Sequence, residues 1–242
     1  MSETPPRLHL RASGDLACFS RPEFAVERTS YPWITPSAAR SLFEAVLWKP
    51  RIRWDVRAIR VLKPIRFMSF RRNEVGTVVP ERYKDTDPPR MTDDDRQQRT
   101  TTALTQVDYV ISADLFLNAA VTRDGDDDNH AKYRDMFARR LEKGQVFHRP
   151  YLGCREFAAN VEPATGSESA CPISLDHGTM LYDFLFPVRY GNHGEHRAWQ
   201  PNQKPRPLYF DAKLIDGVVQ VPPRCEVLQA LPERLRPTES FT

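Results

Sequence analysis

The segment Arg51-Ile-Arg-Trp-Asp-Val-Arg-Ala-Ile59 alternates charged and apolar side chains. Successive side chains of a β-strand point to opposite faces of a sheet, so this alternation predicts a strand with one buried face and one basic face. The alternation slips at Ala58, which indicates a β-bulge. Arg51, Arg53 and Arg57 share the basic face, and we call these three residues the arginine ridge.

The elements around this strand complete an α+β pattern. The sequence first predicts a strand over 7–19, then a helix that begins near Pro36 and ends before Pro50, and then the strand from Arg51. A strand over 107–115 follows. The last two elements are a helix that Asp128 or Asn129 caps and Gly144 ends, and a strand within 150–161. The order strand, helix, strand, strand, helix, strand is that of the ferredoxin-like fold, which RNA-recognition domains share.

Two domains are predicted. Residues 1–165 form the ferredoxin-like domain, interrupted near 75–102 by a polar, proline-containing insertion without a sustained period. Residues 166–242 form a small antiparallel β domain. Within it, 207–222 is expected to be a hairpin whose turn is Asp216-Gly217.

Charge is distributed unevenly along the chain. The 242 residues carry a net charge of only +3, yet residues 49–72 hold nine Lys or Arg side chains and a single acid, Asp55. Such a local excess is typical of a surface that binds a polyanion, and nucleic acid is the polyanion we expect. The four cysteines lack zinc-site spacing, and no apolar run is long enough to cross a membrane. We therefore expect a cytoplasmic protein without metal or cofactor.

Several blocks of the sequence carry a family resemblance. The most distinctive block is Leu152-Gly-Cys-Arg-Glu-Phe157. The others are Arg28-Thr-Ser-Tyr31, Pro36-Ser-Ala-Ala-Arg40, Trp48-Lys-Pro50, Arg71-Arg-Asn-Glu-Val75, Arg96-Gln-Gln-Arg99, Val107-Asp-Tyr-Val-Ile111, Arg139-Arg140, Gly144-Gln145, Asp216-Gly217 and Pro222-Pro223. In number, order and spacing they resemble the Cas five family of CRISPR-associated proteins, in the Cas five-d branch of subtype I-C, from about residue 7 to residue 223.

The resemblance implies both a fold and a function. The family has a ferredoxin-like N-terminal domain and a small antiparallel β domain. It binds the stem-loop of the CRISPR repeat RNA and cuts the precursor transcript without a metal, using the neighbouring 2′-hydroxyl as nucleophile. It then stays on the 5′ handle of the mature guide RNA, as a subunit of the type I-C interference complex, Cascade.

Candidate catalytic residues follow from the resemblance. The reaction needs proton transfer and positive charge near the phosphate. The family uses a Tyr at the end of the first helix and a Lys-His pair in the second. Lys132 matches the Lys, whereas Tyr133 stands at the His position and Leu47 at the Tyr position. His130, at the helix start, and Tyr133 itself are the candidates to compensate, and His148 is a further one.

The expected RNA-binding residues are the arginine ridge and six further cationic side chains: Arg71, Arg72, Arg139, Arg140, His148 and Arg155. Other interpretations stay open at this point. Tyr133 shares an apolar stripe with Met136, Phe137 and Leu141, so a packing role in the core is the alternative to a catalytic one. Cations near a helix C-terminus, as at Arg139 and Arg140, also offset the helix dipole. Cys154 is expected to be a buried small residue rather than a nucleophile.

Two alternative functions accompany the endoribonuclease. One is a scaffold that binds the guide RNA without cutting it, which the residues at positions 47 and 133 favour. The other is a general nucleic-acid-binding protein that also binds duplex DNA, which the basic run alone does not distinguish.

Overall fold

The computed structural model describes residues 4–24, 26–76, 96–118, 129–185, 188–189, 198–199 and 205–232. It is a mixed α/β fold in which a mostly antiparallel sheet carries few helices. The strands are β1 (Arg7–Ala17), β2 (Arg28–Thr29), β3 (Ile52–Val61), β4 (Phe67–Val75), β5 (Arg96–Leu117), β6 (Asn160–Pro163), β7 (Leu175–Leu185), β8 (Val188–Arg189), β9 (Ala198–Trp199), β10 (Arg206–Ile215) and β11 (Val218–Gln220). The helices are α1 (Pro36–Val46), α2 (His130–Glu142) and α3 (Arg224–Gln229).

The main sheet has the strand order β6-β1-β5-β3-β11-β10-β7, and every neighbouring pair in that order is antiparallel. β4 and β2 pair with the first part of β5, β2 in parallel. β11 joins the late strands to β3, with Val218 opposite Arg60. One sheet therefore runs through nearly the whole described chain.

Both long helices pack on one face of this sheet through aromatic side chains. The rings of Phe43 on α1 and Phe137 on α2 stack with centroids 5.3 Å apart, and the Trp54 ring of β3 lies 4.8 Å from Phe137. These side chains belong to one buried core. None of the described helices, of which α2 is the longest at 13 residues, is long and apolar enough to span a membrane.

Local sequence signals are confirmed. The Asn129 side chain caps α2 by accepting a hydrogen bond from the backbone N–H of Lys132 at 2.9 Å, and Gly144 follows the helix with φ +62°. The register between β3 and β5 shifts between Val56 and Ala58, at the predicted bulge.

The predicted C-terminal hairpin is also confirmed. Asp216 and Gly217 connect β10 to β11 with φ values of 49° and 74°. Positive φ at both central residues matches the twist of the flanking strands, which is why Asp-Gly favours such a turn.

Two predictions need correction. The strand expected within 150–161 begins only at Asn160, because the chain first makes a tight turn in which the Leu152 N–H donates to the Phe157 carbonyl. Gly153 enables this turn: its φ is +84°, and a Cβ there would lie 2.0 Å from the Cys18 carbonyl oxygen. The second correction concerns 96–102, which continues β5 and pairs with β4 instead of lacking regular structure. The remainder of the predicted insertion, 77–95, lies outside the described residues.

Candidate nucleic-acid interface

The arginine ridge lies on the sheet face opposite the helices, and its three side chains are half-buried. The Arg53 guanidinium lies 5.3 Å from the ring centroid of Phe116, and Arg51 donates a hydrogen bond to the Asn118 carbonyl. The Nε atom of Arg57 is 3.3 Å from a carboxylate oxygen of Asp114. Each ridge guanidinium therefore already has a contact inside the fold.

Buried carboxylates neutralise part of this face. Asp114 accepts two hydrogen bonds from Arg7, at 2.7 and 3.0 Å, in addition to its contact with Arg57. Asp108 likewise accepts two from Arg11, at 2.9 and 2.8 Å, and these bonds raise the pKa of Arg11. Since β1, β3 and β5 are neighbours, the antiparallel register sets arginines beside aspartates across the strands.

The start of α2 holds the three candidate catalytic residues. Lys132 is exposed, His130 is half-buried, and Tyr133 is only 5% exposed and belongs to the core. The Lys132 ammonium lies 5.8 Å from the ring centroid of Tyr133. The structure thus brings these residues together at one helix terminus, where backbone N–H groups and the helix dipole favour an anion.

The ridge and the start of α2 lie on different faces. Arg53 and Trp54 are consecutive in β3 and so point to opposite faces, and Trp54 contacts Phe137 of α2. α2 is therefore across the sheet from the ridge. An RNA that contacts both must pass around an edge of the sheet.

Further along α2, the predicted cations differ in their surroundings. Arg139 is exposed, whereas Arg140 donates a hydrogen bond of 2.8 Å to the Val46 carbonyl at the end of α1. His148 is exposed, with its ring 6.1 Å from that of Phe147. Leu47 is fully buried, which confirms that it is a core residue.

A second cationic cluster forms where β4 and β5 meet the Leu152–Phe157 turn. Arg72 makes ion pairs with Glu156 and, at 3.0 Å, with Glu74. Arg28 contacts the same two carboxylates, at 3.4 Å for Glu74 and 3.2 Å for Glu156, and the Nε atom of Arg99 lies 3.6 Å from Glu74. Arg71 on β4 and Arg155 in the turn are exposed beside this cluster.

The turn also holds a polarised thiol. The Cys154 thiol donates a hydrogen bond of 3.7 Å to the Cys18 carbonyl. The neighbouring Cys18 side chain lowers the pKa of Cys154, and the Arg28 guanidinium lies 3.7 Å from the Cys154 sulfur. Cys154 is half-buried rather than fully buried. Its contacts fasten the turn to β1 and β2.

Comparisons with known proteins decide the family. The family model Cas_Cas5d, described as CRISPR-associated protein (Cas_Cas5), matches residues 7–222. This chain belongs to the Cas5d family. The resemblance seen in the sequence blocks is therefore confirmed.

Two Cas5d relatives are similar over most of their length, and each is named CRISPR pre-crRNA endoribonuclease Cas5d. The relative from Thermus thermophilus is 41% identical over 225 residues, which cover 89% of this chain and 91% of that protein. The relative from Mannheimia succiniciproducens is 41% identical over 232 residues, covering 90% and 95%. A crystal structure of a CRISPR-associated protein has the same fold, with a TM-score of 0.64, 18% identity, and coverage of 93% of this chain and 95% of that one.

The sequence prediction for this Cas5d chain missed Arg28 and Arg99 as members of the β4–β5 cluster. Both lie in blocks that carry the family resemblance, Arg28-Thr-Ser-Tyr31 and Arg96-Gln-Gln-Arg99. Those blocks were the available signal. Only the pairing of β4 and β2 with β5 shows that the two arginines meet the same carboxylate.

Proposed function

We propose that this protein is an endoribonuclease that matures precursor CRISPR RNA. The observation that carries the proposal is the 41% identity to two proteins named pre-crRNA endoribonuclease, over about nine tenths of each chain. The exposed Lys132 at the anion-favouring start of α2 supports it.

In the proposed reaction, the 2′-hydroxyl next to the cut attacks the phosphate and expels the 5′-oxygen, leaving a 2′,3′-cyclic phosphate. No metal takes part. Lys132 stabilises the charge that develops on the phosphate oxygens. His130 and Tyr133 are the residues proposed to accept and donate the protons, His130 being the more accessible of the two.

The RNA-binding surface is proposed to comprise exposed and half-buried cations. Arg71, Arg139 and Arg155 are exposed and suited to phosphate contact, as is His148. Arg72 and Arg140 are proposed to bind while keeping their contacts inside the fold, and the arginine ridge to supply a second, weaker contact on its own face.

We also propose the finer fold description and the setting. The antiparallel order β6-β1-β5-β3, with α1 and α2 on one face, supports a ferredoxin-like domain over 1–165 and a small β domain over 166–242. After cleavage the protein is proposed to stay on the 5′ handle of the guide RNA, as a subunit of a type I-C interference complex in the cytoplasm.

A non-cleaving scaffold is the second candidate. Two observations favour it: Leu47 is fully buried where the family has a tyrosine, and Tyr133, at the histidine position, is 5% exposed. Neither side chain offers the accessible proton donor of the family site. Binding of duplex DNA is the third candidate, supported only by the basic residues.

One experiment separates these candidates. The purified protein is incubated in EDTA with its own repeat RNA, beside the same RNA carrying a 2′-deoxy substitution at the cut site. We expect cleavage of the first RNA and none of the second, since the deoxy RNA lacks the nucleophile. Tight binding without cleavage of either RNA would establish the scaffold instead. Equal affinity for an unrelated DNA duplex would establish general binding.

A further inference from the structure

Two large aromatic side chains are exposed at the C-terminal end of α1. Trp48 is 44% exposed and Phe147 is 65% exposed, and their ring centroids lie 6.4 Å apart with an interplanar angle of 32°. Exposed apolar side chains that adjoin one another form a patch, and such patches commonly mark binding sites or grooves.

The backbone beneath these rings is fixed. The Phe147 N–H donates to the Ala45 carbonyl at 2.6 Å, Arg140 donates to the Val46 carbonyl at 2.8 Å, and the Trp54 indole donates to the Leu47 carbonyl at 3.1 Å. Carbonyls at a helix C-terminus normally lack partners within the helix. Here they hold both aromatic residues to one helix end, so the two rings are preorganised for a ligand.

The rings border a cleft of about 290 Å³, lined by Glu44, Trp48, Phe147 and His148. The adjoining segments 44–50 and 139–149 contain five Lys or Arg residues and two glutamates, and four of the five cations are exposed: Lys49, Arg139, Lys143 and Arg149. Exposed aromatic rings on segments rich in cations are typical of sites that bind single-stranded nucleic acid, since bases stack on the rings and phosphates are attracted by the positive charge.

We propose that Trp48 and Phe147 stack an unpaired base of a single-stranded segment of RNA. The inference rests on the proposed function, because it assigns a subsite for the part of the RNA that is not base-paired. Glu44, held by Arg40 at 2.5 Å, is placed to accept a hydrogen bond from an exocyclic amino group of the base. Charged groups are depleted from the centre of protein–protein interfaces, so the five cations of the adjoining segments favour RNA as the occupant.

The test uses two RNA hexamers with identical phosphates, one intact and one with abasic sites in place of its bases. Affinities are measured by fluorescence anisotropy for the full-length protein. We expect the intact hexamer to bind about tenfold more tightly, since stacking on an aromatic ring contributes that much for a single base. If both hexamers bind equally, only phosphates are recognised and the proposal is wrong.

Three variants assign the effect to the rings. Trp48→Ala and Phe147→Ala are expected to lose the preference for the intact hexamer, whereas Trp48→Phe keeps a ring and retains most of it. The control is Tyr209→Ala, which removes an aromatic side chain of 37% exposure from β10. A preference that survives both alanine variants would overturn the assignment, as would equal weakening for both hexamers. A circular dichroism spectrum like that of the wild type confirms that each variant is folded.

The hexamer experiment and the cleavage experiment can fail independently of each other. A protein that cuts its repeat RNA but binds both hexamers equally retains the proposed function and lacks the stacking subsite. A protein that prefers the intact hexamer through Trp48 but never cuts has the subsite and is a scaffold.

Discussion

The arginine ridge and two cations of α2, Lys132 and Arg139, differ in their exposure to water. The ridge is half-buried and contacts Phe116, Asp114 and the Asn118 carbonyl. On α2, Lys132 and Arg139 are exposed. A half-buried guanidinium with partners in the fold gains less from a phosphate than an exposed cation does.

The difference separates stability from binding. We expect substitutions on the sheet face to act mainly on the free energy of unfolding, and substitutions on α2 mainly on RNA cleavage and affinity. The distribution of positive charge along the sequence does not distinguish the two regions, because the densest run of positive charge, 49–72, includes the ridge.

The largest expected effect is that of Lys132→Ala on cleavage. Loss of the cation at the start of α2 should slow single-turnover cleavage of repeat RNA by about a hundredfold or more, with a much smaller change in affinity. Arg134→Ala, which removes an exposed cation from the same helix, is the matched control. Normal cleavage by Lys132→Ala would show that the catalytic site lies elsewhere.

Next in size is the effect of Asp114→Ala on stability. The carboxylate is buried between Arg7 and Arg57, so its removal leaves two cations without their partner and should lower the free energy of unfolding by about 2 kcal/mol. Asp135→Ala breaks an exposed pair with Arg134 on α2 and should cost close to nothing. Urea denaturation measures the free energy of unfolding of both variants. Equal decreases for the two would contradict the expected difference between the sheet face and α2.

A smaller effect is expected on the salt dependence of RNA binding. Arg139→Gln should reduce the slope of log affinity against log salt by about one, the value for one lost phosphate contact. Arg53→Gln should reduce it by less, because that guanidinium lies over Phe116. Filter binding over a range of potassium chloride concentrations checks this, and a larger change for Arg53→Gln would reverse the ranking.

The smallest effect concerns Asp55, within the ridge strand. Burial, the largest influence, raises the pKa of this carboxyl above 3.8, although the Arg224 N–H and the charges of Arg53 and Arg57 oppose the rise. A raised pKa means that the folded protein holds the proton more tightly than the unfolded chain does. The contribution of this proton to stability is therefore full below pH 3.8 and declines as the pH rises through the raised pKa of the folded protein.

Asp55→Asn should therefore remove the part of the pH-dependent decline in the free energy of unfolding that Asp55 causes. Unfolding free energies measured for the variant and the wild type from about pH 3 to neutrality provide the comparison. Parallel curves for the two proteins would show that Asp55 does not titrate in this way.

Features set by neighbouring residues could be predicted from the sequence. The Asn129 cap and the Asp216–Gly217 turn depend on a few adjacent positions, and the bulge near Ala58 appears as a break in alternation. A glycine at position 153 suggests close backbone approach, but the group that approaches it, the Cys18 carbonyl, is distant in sequence and could not be predicted.

The site was predictable to a similar degree. Residue type and position identified Lys132 and the ridge as cations, but only the register of β1, β3 and β5 reveals that Asp114 neutralises Arg7 and Arg57. Trp48 and Phe147 were overlooked as a pair, because nothing in the sequence shows that the segment after α2 returns to the end of α1.

The pairing of β11 with β3 also constrains how the protein is made. β11 pairs with Ala58, Ile59 and Arg60, so this part of the β3 edge lacks its partner strand until the ribosome has synthesised residues 218–220. An unpaired strand edge is a template for association with other chains. Slow translation or truncation before residue 218 should therefore expose nascent chains to aggregation and to chaperones, even though α1, β3 and β5 are already complete.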